Sequence, residues 1–223
     1  RVLFRSDNGL LVLSPWTALV PVGAIYVAAD AERRARVGRE TLVAAIIVAL
    51  YLLFVAALEP EFGRGGWELG PRYIAVAMPF AAWLAVAGIE ALLRVPALRV
   101  PALALVLAGV LVHAVASTTY PHWPIYLRNP LYEVSVRLLL NGYAPHSVGT
   151  LVGLRGWHSL LPVHAAVATI SVLLLARGRR IYVEVALAVV LAVAIVACYT
   201  WFPTTPRDVS DDLWSFVTRT YEP

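Results

Sequence analysis

Six stretches of the chain are almost entirely apolar, and polar residues gather between them. The stretches lie at about residues 10–29, 41–58, 73–93, 100–117, 159–176 and 181–199. A helix needs roughly 20 mostly apolar residues to cross the hydrocarbon core of a bilayer. Because backbone groups in lipid must be hydrogen-bonded within the segment, these runs are predicted to be helices rather than strands. The predicted fold is an all-α, polytopic transmembrane helix bundle with about six spans.

The longest polar connection, residues 118–158, is predicted to contain a short amphipathic helix. Asn129 is a suitable N-cap, Pro130 a suitable first helical residue, and Gly142 a suitable stop after the last turn. Glu133 and Arg137 are predicted to pair at i,i+4 spacing. Two interpretations stay open: the helix lies at the membrane interface and packs on the bundle, or it covers an active site.

Composition agrees with a membrane protein and argues against other classes. Of the 223 residues, 60% are hydrophobic and 14% charged, whereas soluble domains carry about a quarter charged residues. The net charge is +4, and all 18 positively charged residues are Arg. No nucleic-acid partner is predicted, because these residues are spread over short loops. The single cysteine, Cys198, excludes an internal disulfide. The chain contains Arg but no Lys, a composition typical of the codon bias of a GC-rich bacterial genome.

The placement of Arg residues predicts the orientation. Nine Arg lie in roughly 23 residues, in the loop 30–40, after the third span and after the fifth. The other nine are spread over roughly 86 residues. By the positive-inside rule the dense set faces the cytoplasm. Loops 59–72 and 118–158 and the tail 200–223 then face outward, as do both ends of the chain. The chain, 1–223, is expected to be one transmembrane domain and a piece of a longer protein, because it begins with Arg1.

The outer loop before the third span carries the strongest candidate site. Arg72 and Tyr73 follow Pro71 at the membrane boundary, close to Trp67 and Glu68. A guanidinium near a helix N-terminus suits a phosphate or pyrophosphate. An alternative interpretation is that Trp67 and Tyr73 are interfacial belt residues and Arg72 extends to lipid headgroups.

Two sequence stretches give this loop a family context. GGWELGPRY at residues 65–73, followed by MPF at 78–80, resembles a segment of bacterial multi-pass glycosyltransferases of the C superfamily. Those proteins are similar to dolichyl-phosphate-mannose-protein mannosyltransferases. NGLL at 8–11 with SP at 14–15 resembles a stretch one loop earlier in them. Glu68 departs from the pattern, in which a Ser or aromatic residue is usual.

The resemblance implies a polyprenyl-phosphate-linked sugar as donor, bound from the outer face of the bacterial plasma membrane. It also implies that the catalytic carboxylate lies upstream of this chain, so no residue here inherits that role. Arg72 is the expected contact to the donor phosphate, and Trp67 or Tyr73 could stack on a sugar or isoprenoid. Membrane lipids are the other expected partners, and the sequence leaves the oligomeric state open. Two further functions also remain open, a transporter or flippase and a non-catalytic scaffold of envelope assembly.

The remaining titratable residues are predicted to be structural. His122, His146 and His158 share the outer side without ligand spacing, so neither a metal nor another cofactor is predicted. His113 and His164 are expected to contact neighbouring helices. Two acids lie inside spans, where carboxylates are functional candidates by default. Their spacing favours ion pairs instead, Glu90 with Arg94 and Glu184 with Arg180. The acids of the tail, Asp208, Asp211 and Asp212, are expected to be solvated.

Overall fold

A computed structural model describes residues 9–57, 72–120, 122–124, 126–175 and 179–220. For residues 72, 73, 168, 171–175, 179–181 and 220 it describes only the backbone. Every regular element within the described ranges is helical. The α-helices in chain order are α1 Leu10–Leu13, α2 Leu19–Ala29, α3 Ala31–Ala57, α4 Met78–Leu93, α5 Pro96–Thr118, α6 Arg137–Leu140, α7 Val148–Leu151, α8 Leu161–Leu175, α9 Arg179–Cys198 and α10 Arg207–Thr220.

Within the described ranges, four helical segments are long and apolar enough to cross a membrane. They are Ala31–Ala57, Ile74–Leu93, Pro96–Thr118 and Tyr182–Trp201. Side chains such as Leu50, Leu53 and Phe54 on α3 are more than half exposed, which is the arrangement expected of a helix that faces lipid. Shorter helices occupy the first and fifth predicted spans, Pro15–Ala29 and α8. The prediction of an all-α, polytopic transmembrane bundle is confirmed.

The first predicted span is broken near its start. α1 ends at Leu13, Ser14 leaves the helical conformation, and Pro15 begins a 3-10 helix that runs to Ala18. Proline has no N–H to donate and disfavours the α conformation of the residue before it. The run of apolar residues predicted one continuous span, and the Ser14–Pro15 pair divides it.

The connection predicted at residues 30–40 is wrong, because those residues belong to a helix. α3 begins at Ala31, directly after Asp30. The Asp30 carboxylate accepts hydrogen bonds from the backbone N–H groups of Glu32 and Arg33, both at 3.0 Å. This is N-cap chemistry, since it satisfies two donors that have no partner inside the helix. The helix is interrupted once, at Val37, whose φ of −134° and ψ of 15° lie outside the helical range.

Small residues allow the helices to approach closely. A Cβ added at Gly23 of α2 would collide with the carbonyl of Leu84, and one at Gly88 of α4 with the carbonyl of Leu19. Between α5 and α9 the contact is made by four alanines that are almost fully buried, Ala104, Ala108, Ala188 and Ala192. Close packing of small residues is a main source of helix association within a membrane.

A short helix does occupy the 118–158 connection. Residues Leu131–Val136 form a π-helix that continues into α6. Gly142 ends it with a φ of 82°. Its N–H donates to Leu139, and the N–H of Tyr143 donates to Leu138, which together form a Schellman motif. The stop predicted at Gly142 is therefore confirmed.

The start of this helix differs from the prediction. The Asn129 side chain does not cap it; its amide donates to the carbonyl of Tyr199, at 2.9 Å. The tail contains a helix for which no prediction was made, α10 at residues Arg207–Thr220. Leu213 and Val217 of α10 are buried in one cluster with Leu138. The apolar side of the short helix is thus covered by the tail.

Candidate functional site: a groove between two spans

The four residues predicted to bind substrate lie just before or at the start of the described range 72–120. Trp67 and Glu68 fall outside the described residues. Arg72 and Tyr73 open a 3-10 helix, Arg72–Ala77, that leads directly into α4. Their side chains are not described, so the structure neither brings the four residues together nor separates them. It does place the backbone of Arg72 at the N-terminal end of a spanning helix, as the sequence predicted.

The segment that follows Arg72 is firmly packed. Ile74 and Ala77 are buried in a cluster that also includes Leu10 and Val55. This anchors the 3-10 helix against the first span and the C-terminal part of α3. The segment between Ile74 and α4 is therefore held by the packed core.

A groove runs along α4 below this segment and is closed on its other side by α5. Its volume is about 490 Å³. On α4 it is lined by Ala82, Ala85, Val86 and Ile89, and on α5 by residues between Val106 and Ser117. Most of these side chains are small or apolar. The groove is thus suited to a hydrocarbon chain rather than to a polar ligand.

Trp16 forms the wall where the first span meets α5. A Cβ added at Gly109 would lie 2.9 Å from Cδ1 of Trp16. Only a glycine allows the indole this close to the α5 backbone. The sequence carries only an indirect signal of this contact. It is the Ser14–Pro15 pair, which turns the chain just before Trp16.

The main polar contact in the groove joins His113 to the helix break. Nε2 of His113 lies 3.0 Å from Oγ of Ser14, which is buried. The carbonyl of Ser14 accepts both the hydroxyl of Thr17, at 2.7 Å, and its backbone N–H, at 2.9 Å. The prediction that His113 contacts a neighbouring helix is confirmed. His164 instead bonds the carbonyl of Leu160, one turn earlier in its own segment, at 2.8 Å.

A charged cluster lies at the opposite end of α4. The Glu90 carboxylate accepts from Arg94 at 2.7 Å and from Arg33 at 3.3 Å. The predicted Glu90–Arg94 pair is confirmed, and the hydrogen bond from Arg94 raises the pKa of that guanidinium above its ordinary value. The Arg33 guanidinium also lies 4.2 Å from the ring centroid of Tyr26, a cation–π contact. The cluster joins α2, α3 and α4.

The second intramembrane acid has a partner on another helix. Oε1 of Glu184 lies 3.4 Å from Nη1 of Arg99, which comes from the start of α5. The side chain of Arg180, the predicted partner, is outside the described part, so the Glu184–Arg180 pair stays a prediction. The Arg99 pair connects α5 to α9 across the bundle.

The predicted Glu133–Arg137 pair does not form, because each side chain turns to the tail. Glu133 accepts from the backbone N–H and the hydroxyl of Thr205, the hydroxyl at 2.9 Å. Arg137 donates to Asp211 from two nitrogens, each at 3.3 Å, and lies 4.2 Å from the ring centroid of Trp214. Asp211 is thus ion-paired while its side chain stays 59% exposed, and Asp208 and Asp212 are exposed as predicted. These contacts hold the tail against the short helix.

The outer histidines make aromatic contacts. His158 stacks on Trp157 with ring centroids 3.9 Å apart, and His122 meets Tyr120 edge to face at 5.8 Å. Among the residues that the structure describes, no three His, Cys, Asp or Glu side chains converge on a point.

The long apolar helices and their exposed apolar sides define the chain as an α-helical protein embedded in a membrane. No family model, curated protein or solved structure matches it.

Proposed function

We propose that the chain is the C-terminal part of a bacterial membrane glycosyltransferase that takes its sugar from a polyprenyl-phosphate donor. The observation that carries the proposal is the groove between α4 and α5. Its α4 wall belongs to the same helical segment that begins at Arg72. A donor phosphate at Arg72 and an isoprenoid tail in the groove would then occupy one continuous surface.

The dimensions of the helix are compatible with such a ligand. From residue 72 to residue 82 the chain forms six residues of 3-10 helix and then α-helix, a rise of about 18 Å. An extended isoprenoid chain is long enough to cover that distance. Arg72 would hold the phosphate through charge-assisted hydrogen bonds, with Trp67, Glu68 and Tyr73 beside the sugar. The catalytic carboxylate is expected upstream of this chain.

The orientation belongs to the same proposal. The dense set of Arg residues, four of which lie in the N-terminal part of α3, would face the cytoplasm of the bacterial plasma membrane. Arg72, both termini and the α6–α10 pair would face outward, where a lipid-linked sugar is used without nucleotide hydrolysis.

A transporter is the second candidate, and the broken first span favours it. Interrupted helices with buried polar groups are typical of substrate sites in secondary transporters. Ser14 at the break, bonded to His113, has that character. An inverted repeat, which transporters of this type usually contain, is not visible in the sequence.

The test is sugar transfer by membranes that contain the full-length protein, supplied with a radiolabelled polyprenyl-phosphate sugar. We expect Arg72→Ala to abolish transfer while the protein still inserts into the membrane. Arg64→Ala, which removes an Arg from the same loop, is the matched control and should retain activity. Normal transfer by Arg72→Ala would refute the phosphate contact. If the wild type transfers no sugar from any of several donors, the transporter becomes the better proposal.

A further inference from the structure

A second cavity lies at the other end of α4, far along the helix from Arg72. Its volume is about 470 Å³. We call it the Arg36 pocket, because that side chain is its distinguishing feature. Residues of α2, α3 and α4 line it, with Arg33, Arg36, Thr41 and Glu90 among the polar ones and Trp83 and Val86 among the apolar ones.

The charges of the pocket do not balance within the described residues. Arg33 is paired with Asp30 at 2.7 Å and with Glu90 at 3.3 Å. Glu90 is shared with Arg94 as well. Arg36 is exposed and has no ion pair or hydrogen bond with any described residue. The described acidic residues around the pocket therefore leave one positive charge unpaired, that of Arg36.

A polar atom in the pocket wall also lacks a partner. The hydroxyl of Thr41 is the buried side-chain polar atom of the described part for which no hydrogen bond is formed. A threonine inside a helix normally donates to the carbonyl four residues earlier. For Thr41 that residue is Val37, where the backbone of α3 leaves the helical conformation. The irregular turn thus leaves a donor available beside Arg36.

The apolar side of the pocket faces lipid. Trp83 is 53% exposed and Val86 is 65% exposed. Both lie within the spanning segment Ile74–Leu93, and Arg33 and Arg36 lie in the first turns of the segment Ala31–Ala57, before the kink at Val37. In a membrane, the charged first turns of α3 would lie at headgroup depth and the indole of Trp83 at hydrocarbon depth.

We propose that the Arg36 pocket binds one molecule of an anionic phospholipid. Its phosphate is recognised by Arg36 and the hydroxyl of Thr41, and the first part of an acyl chain lies along Trp83 and Val86. Basic pockets between spanning helices are suited to such headgroups. The proposal does not depend on sugar transfer, since it uses neither Arg72 nor α5, although Val86 lines both this pocket and the groove between α4 and α5.

Trp83 provides a direct probe of occupancy. The purified full-length protein would be reconstituted in phosphatidylcholine vesicles that contain increasing amounts of brominated phosphatidylglycerol, whose bromines quench tryptophan on contact. Subtracting the signal of Trp83→Phe isolates the quenching at the pocket. We expect brominated phosphatidylglycerol to quench Trp83 at a much lower mole fraction than brominated phosphatidylcholine does. Arg36→Gln should weaken this preference about fivefold, as expected for the loss of one basic residue at an anionic surface.

Two further variants separate a built site from general attraction to the surface. Arg39→Gln removes the same charge from the same helix without touching the pocket and should leave the preference unchanged. Thr41→Val keeps the shape and should weaken it. Equal quenching by the two brominated lipids, or equal losses in Arg36→Gln and Arg39→Gln, would overturn the proposal. If inorganic phosphate at matched ionic strength removes the preference, the site binds a free anion and the lipid assignment is wrong.

Discussion

Oγ of Ser14 and Nε2 of His113 lie 3.0 Å apart, although 99 residues separate them in the chain. The contact joins the break in the first span to the C-terminal part of α5. It gives a polar partner to a histidine that would otherwise face hydrocarbon, and it fixes Trp16 as the wall of the groove. A hydrogen bond between spanning helices contributes about 0.6 kcal/mol on average and at most about 1.7 kcal/mol.

Removal of this bond should destabilise the protein measurably. Ser14→Ala and His113→Leu are each expected to lower the free energy of unfolding by about 1 kcal/mol. The double variant should cost less than the sum, because the two changes remove the same interaction. Thermal unfolding in one detergent measures all three. Strict additivity would show that the two side chains do not interact in the folded protein.

Gly88 and Gly38 should respond oppositely to the same substitution. Gly88→Ala puts a methyl group against the carbonyl of Leu19 in α2. We expect a loss of about 1–3 kcal/mol, since neither backbone can yield easily. A Cβ at Gly38 would meet only Cγ of the Arg34 side chain, at 3.1 Å. Gly38→Ala should therefore be neutral or stabilise α3 by up to about 1 kcal/mol. Unfolding in the same detergent compares them, and a harmless Gly88→Ala would argue against the close contact between α2 and α4.

The helices could be predicted from the sequence because apolar runs and local end signals lie within a few residues of each other. The end of the short helix at Gly142 is predictable from such a local signal. Ser14–Pro15 and Asp30 carried equally local signals, a proline break and an N-cap. Both lie beside long apolar or Arg-rich stretches, which is why residues 10–29 were assigned to one segment and residues 30–40 to a connection.

The partners of charged side chains could not be predicted in the same manner. Glu133 has a suitable Arg at i,i+4, but its carboxylate bonds Thr205, which is 72 residues away. Only the packing of α10 on the short helix brings Thr205 within reach. Local spacing succeeded for Glu90 and Arg94, where the two residues lie on one exposed helix end. The groove depends in turn on the crossing of α4 and α5, which no local pattern encodes.

Glu133 should be the residue that holds the tail in place. Glu133→Ala leaves the N–H and the hydroxyl of Thr205 without their acceptor, and Thr205 is buried. The free energy of unfolding should fall by about 1–3 kcal/mol. We expect the main consequence to be that α10 detaches from the short helix. Hydrogen–deuterium exchange of residues 207–220 should become faster. Glu133→Gln, which keeps one acceptor oxygen, should have a smaller effect, and the exposed Glu32→Ala none. Unchanged exchange in Glu133→Ala would show that Leu213 and Val217 hold the tail without it.

Asp30 should make the start of α3 sensitive to acid. The backbone N–H of Arg33, together with the charge of its side chain, holds the pKa of Asp30 below the ordinary value. A carboxylate whose pKa is lowered by folding stabilises the protein above its unfolded pKa of about 4, and this contribution is lost as the pH falls further. Asp30→Asn should therefore be less stable than the wild type at pH 6, with the difference shrinking towards pH 3. Thermal unfolding across that range measures it, and a constant difference would contradict the assignment.

The groove between α4 and α5 should be necessary for long-chain donors if the proposed function is correct. Ala82 is exposed on its α4 wall, so Ala82→Trp would fill the space without disturbing the core. Transfer from a full-length polyprenyl-phosphate sugar should fall at least tenfold, whereas a donor with a short isoprenoid should be affected much less. Ala56→Trp, at an exposed position of α3, is the matched control and should retain both activities. An equal loss with both donors would place the tail elsewhere, because only a blocked groove discriminates by chain length.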